Sequence, residues 1–142
     1  MKKVLVSGCF DPIHDGHIDH IEKAARLGDY LYVITHPRDT IRSCKKVAWT
    51  NDRTRLLLLN GLLKELHIRG ECRLSHRGDW GIGKTLKTLE AIRPDIYAKG
   101  GDRTPENMAP EEVELCRKLG IKIVYGIGQR LNSSSQIKAA QR

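Results

Sequence analysis

Short apolar runs of strand type alternate with helix-patterned segments along this 142-residue chain, and that alternation limits its fold more than any other feature. Val4, Leu5 and Val6 form the first run, and Ile18, Ile21, Ala24, Ala25 and Leu27 follow at helical spacing. Residues 30–35 read as a second strand between Gly28-Asp29 and Pro37, and a polar, basic loop is expected over 36–50. Thr50 or Asn51 can cap a helix carrying Leu56, Leu57, Leu59, Leu62, Leu63 and Leu66. A weak strand near 72–74, a helix over 83–92 and a strand over 95–98 come next. Pro110 can open a helix that Gly120 stops, 121–125 is the last strong strand, and 133–140 reads as a short closing helix. Strand–helix alternation of this kind specifies an α/β fold, a doubly wound, five-stranded parallel sheet with helices on both faces. No repeat, low-complexity run or linker interrupts it, so residues 1–142 read as a single domain.

The first strand gives way to its helix through Ser7-Gly-Cys-Phe-Asp-Pro-Ile-His14-Asp-Gly-His17. A phosphate placed there meets free backbone N–H groups, the positive end of a helix dipole and two imidazoles. In open parallel sheets, ligands sit beyond the C-terminal strand ends. The loops carrying His14 and His17, Asp39, Lys45 and Lys46, Gly100, Gly101 and Asp102, and Ser133 to Ser135 are therefore expected on one rim. His20, His36, His67 and His76 lack such a context and are read as surface residues.

Lys and Arg outnumber Asp and Glu by 25 to 17, a net charge of +8 that favours acidic partners. The charges are scattered and aromatics few, which favours small phosphorylated molecules over nucleic acid. Cys9, Cys44, Cys72 and Cys116 form no C-x-x-C pair, which argues against a zinc site or a disulfide scaffold and for a reducing compartment. No segment approaches membrane-spanning length, and the apolar core ahead of Cys9 is too short for a leader, so a cytoplasmic location is expected.

Gly8-Cys9-Phe10-Asp11-Pro-Ile-His14-Asp-Gly16-His17 resembles the signature of the HxGH nucleotidyltransferases, especially their cytidylyltransferase-like branch. Lys45-Lys46 ahead of Asn51-Asp-Arg53 resembles the family's lysine loop and following arginine, and Ser133-Ser134-Ser135-Gln-Ile resembles its late hydroxyl turn. Lys99-Gly-Gly-Asp102 is similar to a segment of the heptose-phosphate branch. The resemblance implies a Rossmann-like fold and transfer of CMP or AMP from CTP or ATP to a phosphorylated sugar or polyol, with release of pyrophosphate. It implies catalytic roles for His14, His17, Lys46 (or Lys45) and Arg53. It also implies nucleotide contacts from Gly8, Cys9, Phe10, Asp11, Gly16, Lys45, Gly100, Asp102, Ser133, Ser134 and Ser135. Asp39, Trp80, Lys84 and Arg130 are candidates for the acceptor side. Mg2+ is expected on the nucleotide phosphates rather than on a protein cage, and a homodimer is implied. The loop Thr35-His-Pro-Arg-Asp39 departs from the family's Asn/Ser-x-Asp pattern, and Arg130 lies closer to the serine turn than the corresponding arginine does. The alternative is a nucleotide-sensing or nucleic-acid-binding module on the same fold without turnover.

Gly78-Asp-Trp-Gly-Ile-Gly-Lys84-Thr85 matches a Walker A loop letter for letter. Such a loop needs a buried apolar strand before it. Glu71-Cys-Arg-Leu-Ser-His-Arg77 is too polar for one, so the match is read as coincidence.

Overall fold

Five parallel strands in the order β3-β2-β1-β4-β5 carry the molecule, and the computed structural model describes residues 1–79 and 84–128 around them. In chain order the elements are β1 (Lys3–Gly8), α1 (Asp15–Ala25), β2 (Tyr30–Thr35), α2 (Arg38–Lys45), α3 (Asp52–Glu65), β3 (Gly70–Leu74), α4 (Leu86–Ile92), β4 (Ile96–Ala98), α5 (Pro110–Leu119) and β5 (Lys122–Val124). β1 lies at the centre, paired with β2 from Lys3↔Tyr30 to Gly8↔Thr35 and with β4 at Val4↔Ile96 and Leu5↔Tyr97. The chain first winds outward through β2 to β3, then crosses to β4 and β5. The winding direction reverses between β1 and β4, where open α/β sheets form a crevice.

Period-two alternation along the strands feeds a separate apolar cluster on each face. Val4, Val6 and Val33 pack with Ile21 and Ala24 of α1 and Leu59 and Leu63 of α3. Leu5, Ile34 and Tyr97 pack on the other face with Leu89 and Ile92 of α4 and Cys116 of α5. Fully burying one such aliphatic side chain contributes about 1.5–3 kcal/mol, so both faces are anchored. The fold class is the expected one.

Several boundaries differ from expectation: β3 starts two residues early, at Gly70, and β4 and β5 are trimmed to Ile96–Ala98 and Lys122–Val124. The stretch expected as loop over 36–50 contains α2, whose only buried residue is Ile41 and whose N-cap, Pro37, makes no side-chain capping bond. The helix expected to start at residue 83 begins at Leu86. β3, expected to be weak, is the edge strand beside β2, where polar Glu71 and Arg73 face outward as an ion pair. Asn51 rather than Thr50 caps α3, its side chain accepting from the Thr54 N–H at 2.8 Å. Gly120 ends α5 in the left-handed region at φ 71°, as its position requires. The helix expected over 133–140 lies outside the described residues. No helix among the described residues is long and apolar enough to cross a membrane.

Candidate active site

His14 is the N-cap of α1, in extended backbone, and it forms a capping box with His17. The Gly16 N–H donates to His14 Nδ1 at 3.2 Å, and the His14 N–H donates to His17 Nδ1 at 3.2 Å. The two rings stack with centroids 3.7 Å apart. Each Nδ1 is thus an acceptor, so in the neutral ring the proton resides on Nε2. Burial drives the His17 pKa down to about 3, helped by repulsion from His14, His20 and Lys45. Burial also lowers His14, against the opposing pull of Asp15. Near pH 7 the pair therefore presents two Nε2–H donors at the N-terminal end of α1, where the Gly16, His17 and Ile18 N–H groups are turned back onto His14.

The preceding loop fixes this geometry. Phe10 is buried in the left-handed region at φ 49°, a strained state for a bulky residue, and meets the His17 ring edge-on at 4.9 Å. A side chain at Gly8 would come within 3.3 Å of the Phe10 ring, so glycine there makes room for it. Cys9 is buried, its thiol pushed up by desolvation, and its carbonyl accepts from Thr35 Oγ1 at 3.0 Å. Asp11 accepts from the Trp49 N–H at 2.7 Å, the Thr50 N–H at 2.9 Å and Thr50 Oγ1 at 2.6 Å. Its carboxylate joins the histidine loop to the segment that follows Lys45 and Lys46.

Lys45 ends α2, and Lys46 follows it as the C-cap at φ 67°. Both are exposed, and the charge of Lys45 acts on His17 and Cys9, which places it on the histidine side. Arg53 is exposed in the first turn of α3, and Asp39 in that of α2. The guanidinium that the structure buries is Arg55, which sequence reasoning missed. It is fully buried, donating to Thr50 Oγ1 at 3.1 Å, Thr35 Oγ1 at 2.9 Å, the His36 carbonyl, and Asp52 at 2.7 Å. Asp52 also accepts from the Arg38 N–H at 2.7 Å, so one ion pair ties the end of β2 to the starts of α2 and α3.

Beyond β4, Gly100 is half-buried and Asp102 exposed, the Asp102 carbonyl accepting from Asn107 Nδ2 at 2.9 Å. The Asp102 charge acts on His20. Two histidines read as surface residues are not. His36 is buried against Ser75 Oγ at 3.2 Å, its pKa lowered to about 4 chiefly by desolvation. His20 is half-buried, with Nδ1 2.5 Å from the Ile127 carbonyl, and burial lowers its pKa. Gly128, at φ 95°, has no room for a side chain, because a Cβ would lie 2.9 Å from the His20 Cα. The chain after β5 therefore rests on α1. His67 and His76 are exposed, as expected.

The Walker match fails on structure as well as on pattern. The strand before it is an edge strand, and Thr85, the residue that would face a metal, is buried with its hydroxyl on Glu112 Oε2. Asp79, within the match, accepts from the Lys87 and Thr88 N–H groups at 2.6 and 3.2 Å and so caps α4. Lys84 is exposed. Trp80, Arg130, Ser133, Ser134 and Ser135 lie outside the described residues. Among the described residues no group of three His, Cys, Asp or Glu side chains could hold a metal ion.

A parallel sheet with a reversal beside its central strand, and helices packed on both faces, define a Rossmann-like α/β protein, with the paired histidines at the helix start after that strand. The sequence matches the cytidylyltransferase-like family over residues 5–139, and the chain belongs to that family. It is 31% identical over 145 residues to the FAD synthase of Thermoplasma volcanium, covering 97% of this chain and 92% of that protein. It is 31% identical over 138 residues to the bifunctional protein HldE of Nitrosococcus oceani, covering 94% of this chain but only 26% of that protein. Among solved structures it matches the lipopolysaccharide core biosynthesis protein from Thermoplasma volcanium GSS1 at a TM-score of 0.70 and 28% identity, covering 93% and 99% of the two chains. The protein is a nucleotidyltransferase.

Proposed function

We propose that this chain moves AMP from ATP onto a polyol or sugar phosphate, with FMN as the first candidate acceptor. The observation that carries this reading is the pair of neutral histidines at the start of α1, whose Nε2–H donors at the positive end of the helix dipole suit a triphosphate. The acceptor follows from the relative named FAD synthase, matched over nearly the full length of both chains. FAD is FMN joined to AMP through a pyrophosphate bridge. The phosphate of FMN sits on a ribityl chain, so FMN is itself a polyol phosphate.

In this mechanism an oxygen of the acceptor phosphate attacks the α-phosphorus of ATP. The bond from that phosphorus to the bridging oxygen breaks, and pyrophosphate leaves with the electron pair. No protein nucleophile takes part, so rate enhancement rests on alignment and charge stabilisation. His14 and His17 donate to the phosphate oxygens, Lys45, Lys46 and Arg53 supply positive charge, and Ser134 and Ser135 add hydroxyls. Magnesium enters as part of the nucleotide substrate, in keeping with an Asp11 carboxylate already engaged by residues 49 and 50.

A sugar phosphate is the second reading, favoured by the match to HldE and by the lipopolysaccharide protein among the structures. The deciding experiment incubates the protein with ATP or CTP, magnesium, and FMN or a panel of sugar phosphates, measuring pyrophosphate and the product nucleotide. FAD from ATP and FMN is expected, with His17→Ala slower by about a hundredfold, the usual scale for loss of a preorganised donor. Triphosphate binding without pyrophosphate release for any acceptor would instead indicate the binding module without turnover.

A further inference from the structure

Lys99 directly follows β4, at the reversal of the sheet, and the residue is only 7% exposed. Burying an ammonium is costly unless its charge and its three donors are answered. Among the described residues its one hydrogen bond runs to Tyr97 Oη at 3.2 Å, and Nζ sits 4.5 Å from the centroid of the same ring. Among the same residues its other two donors meet no acceptor. Desolvation lowers its pKa, and the buried carboxylate of Glu112 partly restores it.

The neighbours hold this ammonium in place without neutralising it through direct contact. Glu112 is 1% exposed and receives hydrogen bonds from the Thr85 N–H at 3.0 Å, the Thr85 hydroxyl and Tyr97 Oη at 2.9 Å. Tyr97 Oη also lies 2.9 Å from Ser7 Oγ on β1 and 3.1 Å from Thr85 Oγ1. A carboxylate, a phenol and two hydroxyls thus form a rigid platform beneath the crevice, with Lys99 bound to its top.

The charges of Arg55, Lys99 and Lys45 all act on His36, buried just beyond β2, with Asp79 opposing, while Lys99 itself feels Glu112 and Asp102 against Arg103. Arg55 has every nitrogen engaged. Lys99 is the buried member with donors to give.

We propose that Lys99 binds the phosphate of the acceptor, held in position by the Tyr97–Glu112–Thr85 platform. The inference rests on the reading that the acceptor is a phosphate ester, but not on which ester. The histidine pair holds the triphosphate from the start of α1, and Lys99 holds the attacking phosphomonoester from the other wall of the crevice. Lys99 is then a specificity residue for phosphorylated acceptors, and Tyr97 and Glu112 are positioning residues.

The test titrates inorganic phosphate into protein saturated with a non-hydrolysable ATP analogue, which requires no knowledge of the acceptor. Wild type should bind phosphate, and Lys99→Met should bind it about tenfold or more weakly, equivalent to 1.4 kcal/mol or more. Lys99→Arg should recover most of that loss, and affinity for the ATP analogue should stay within about twofold in all variants, well inside that 1.4 kcal/mol. Should Lys99→Met not fold, phosphate must still shift the Lys99 ammonium resonance of the wild-type protein. Absence of phosphate binding, absence of that shift, or a loss that falls on the ATP analogue would each overturn the proposal. FMN and riboflavin titrations run alongside: failure of FMN to bind wild type, with phosphate binding intact, counts against the acceptor named above and not against Lys99.

Discussion

Neutral histidines govern how this protein responds to acid. The ordinary histidine pKa is near 6.5, whereas folding lowers His17 to about 3 and His36 to about 4, and also lowers His14 and His20. Between those values the unfolded chain takes up protons that the folded chain refuses, so stability falls as pH drops. The contribution is fully present above pH 6.5 and is lost progressively toward pH 3. Thermal melts should give a Tm that is level from pH 7 to 8 and declines below about 6.5. His36→Gln should make that decline shallower. A Tm rising through the same interval would refute the buried neutral state. The sequence made the His14–His17 pair visible but not its chemistry. Capping boxes are written in serine, threonine, glutamate and glutamine, and imidazoles in both roles match no template. His36 and His20 were misread because their partners, Ser75 and Ile127, are far away in the chain.

Among the elements, α2 and α3 depend on a single buried arginine. Arg55→Met should lower unfolding free energy by about 3 kcal/mol, the scale for breaking a buried pair, moderated because Asp52 keeps access to solvent. Urea denaturation measures it, and a loss below about 0.5 kcal/mol, typical of surface sites, would contradict the assigned role. Helices α1, α3 and α5 were legible because apolar spacing and caps agree, as at Asn51, Pro110 and Gly120. α2 was not, since one buried isoleucine in eight residues makes no period and Pro37 supplies no cap side chain. Arg55 stayed hidden for a related reason: arginine ordinarily belongs to the surface, and Thr35 and His36 reach it only after the chain has folded.

For the molecule as a whole, the strand order gathers at one edge what the sequence scatters. Parallel pairing puts Gly8, Thr35, Leu74, Ala98 and Val124 at the same ends of their strands, so the loops after them share a rim. Alternating patterns were enough to anticipate that edge. They could not show that Lys99 is buried there, because a lysine followed by two glycines reads as a solvated turn.

Asp79 has a further consequence, for engineering. By accepting from the Lys87 and Thr88 N–H groups it ties the turn after β3 to the start of α4. Thr88 Oγ1 accepts in turn from the His76 N–H at 2.8 Å, so the two segments are joined in both directions. Asp79→Ala should cost about 1 kcal/mol, the scale of a lost helix cap, and Asp79→Asn should recover part of it. Thermal melts of the two variants make the comparison. The carboxylate is thus a clasp, to be left in place by anyone who redesigns this side of the molecule.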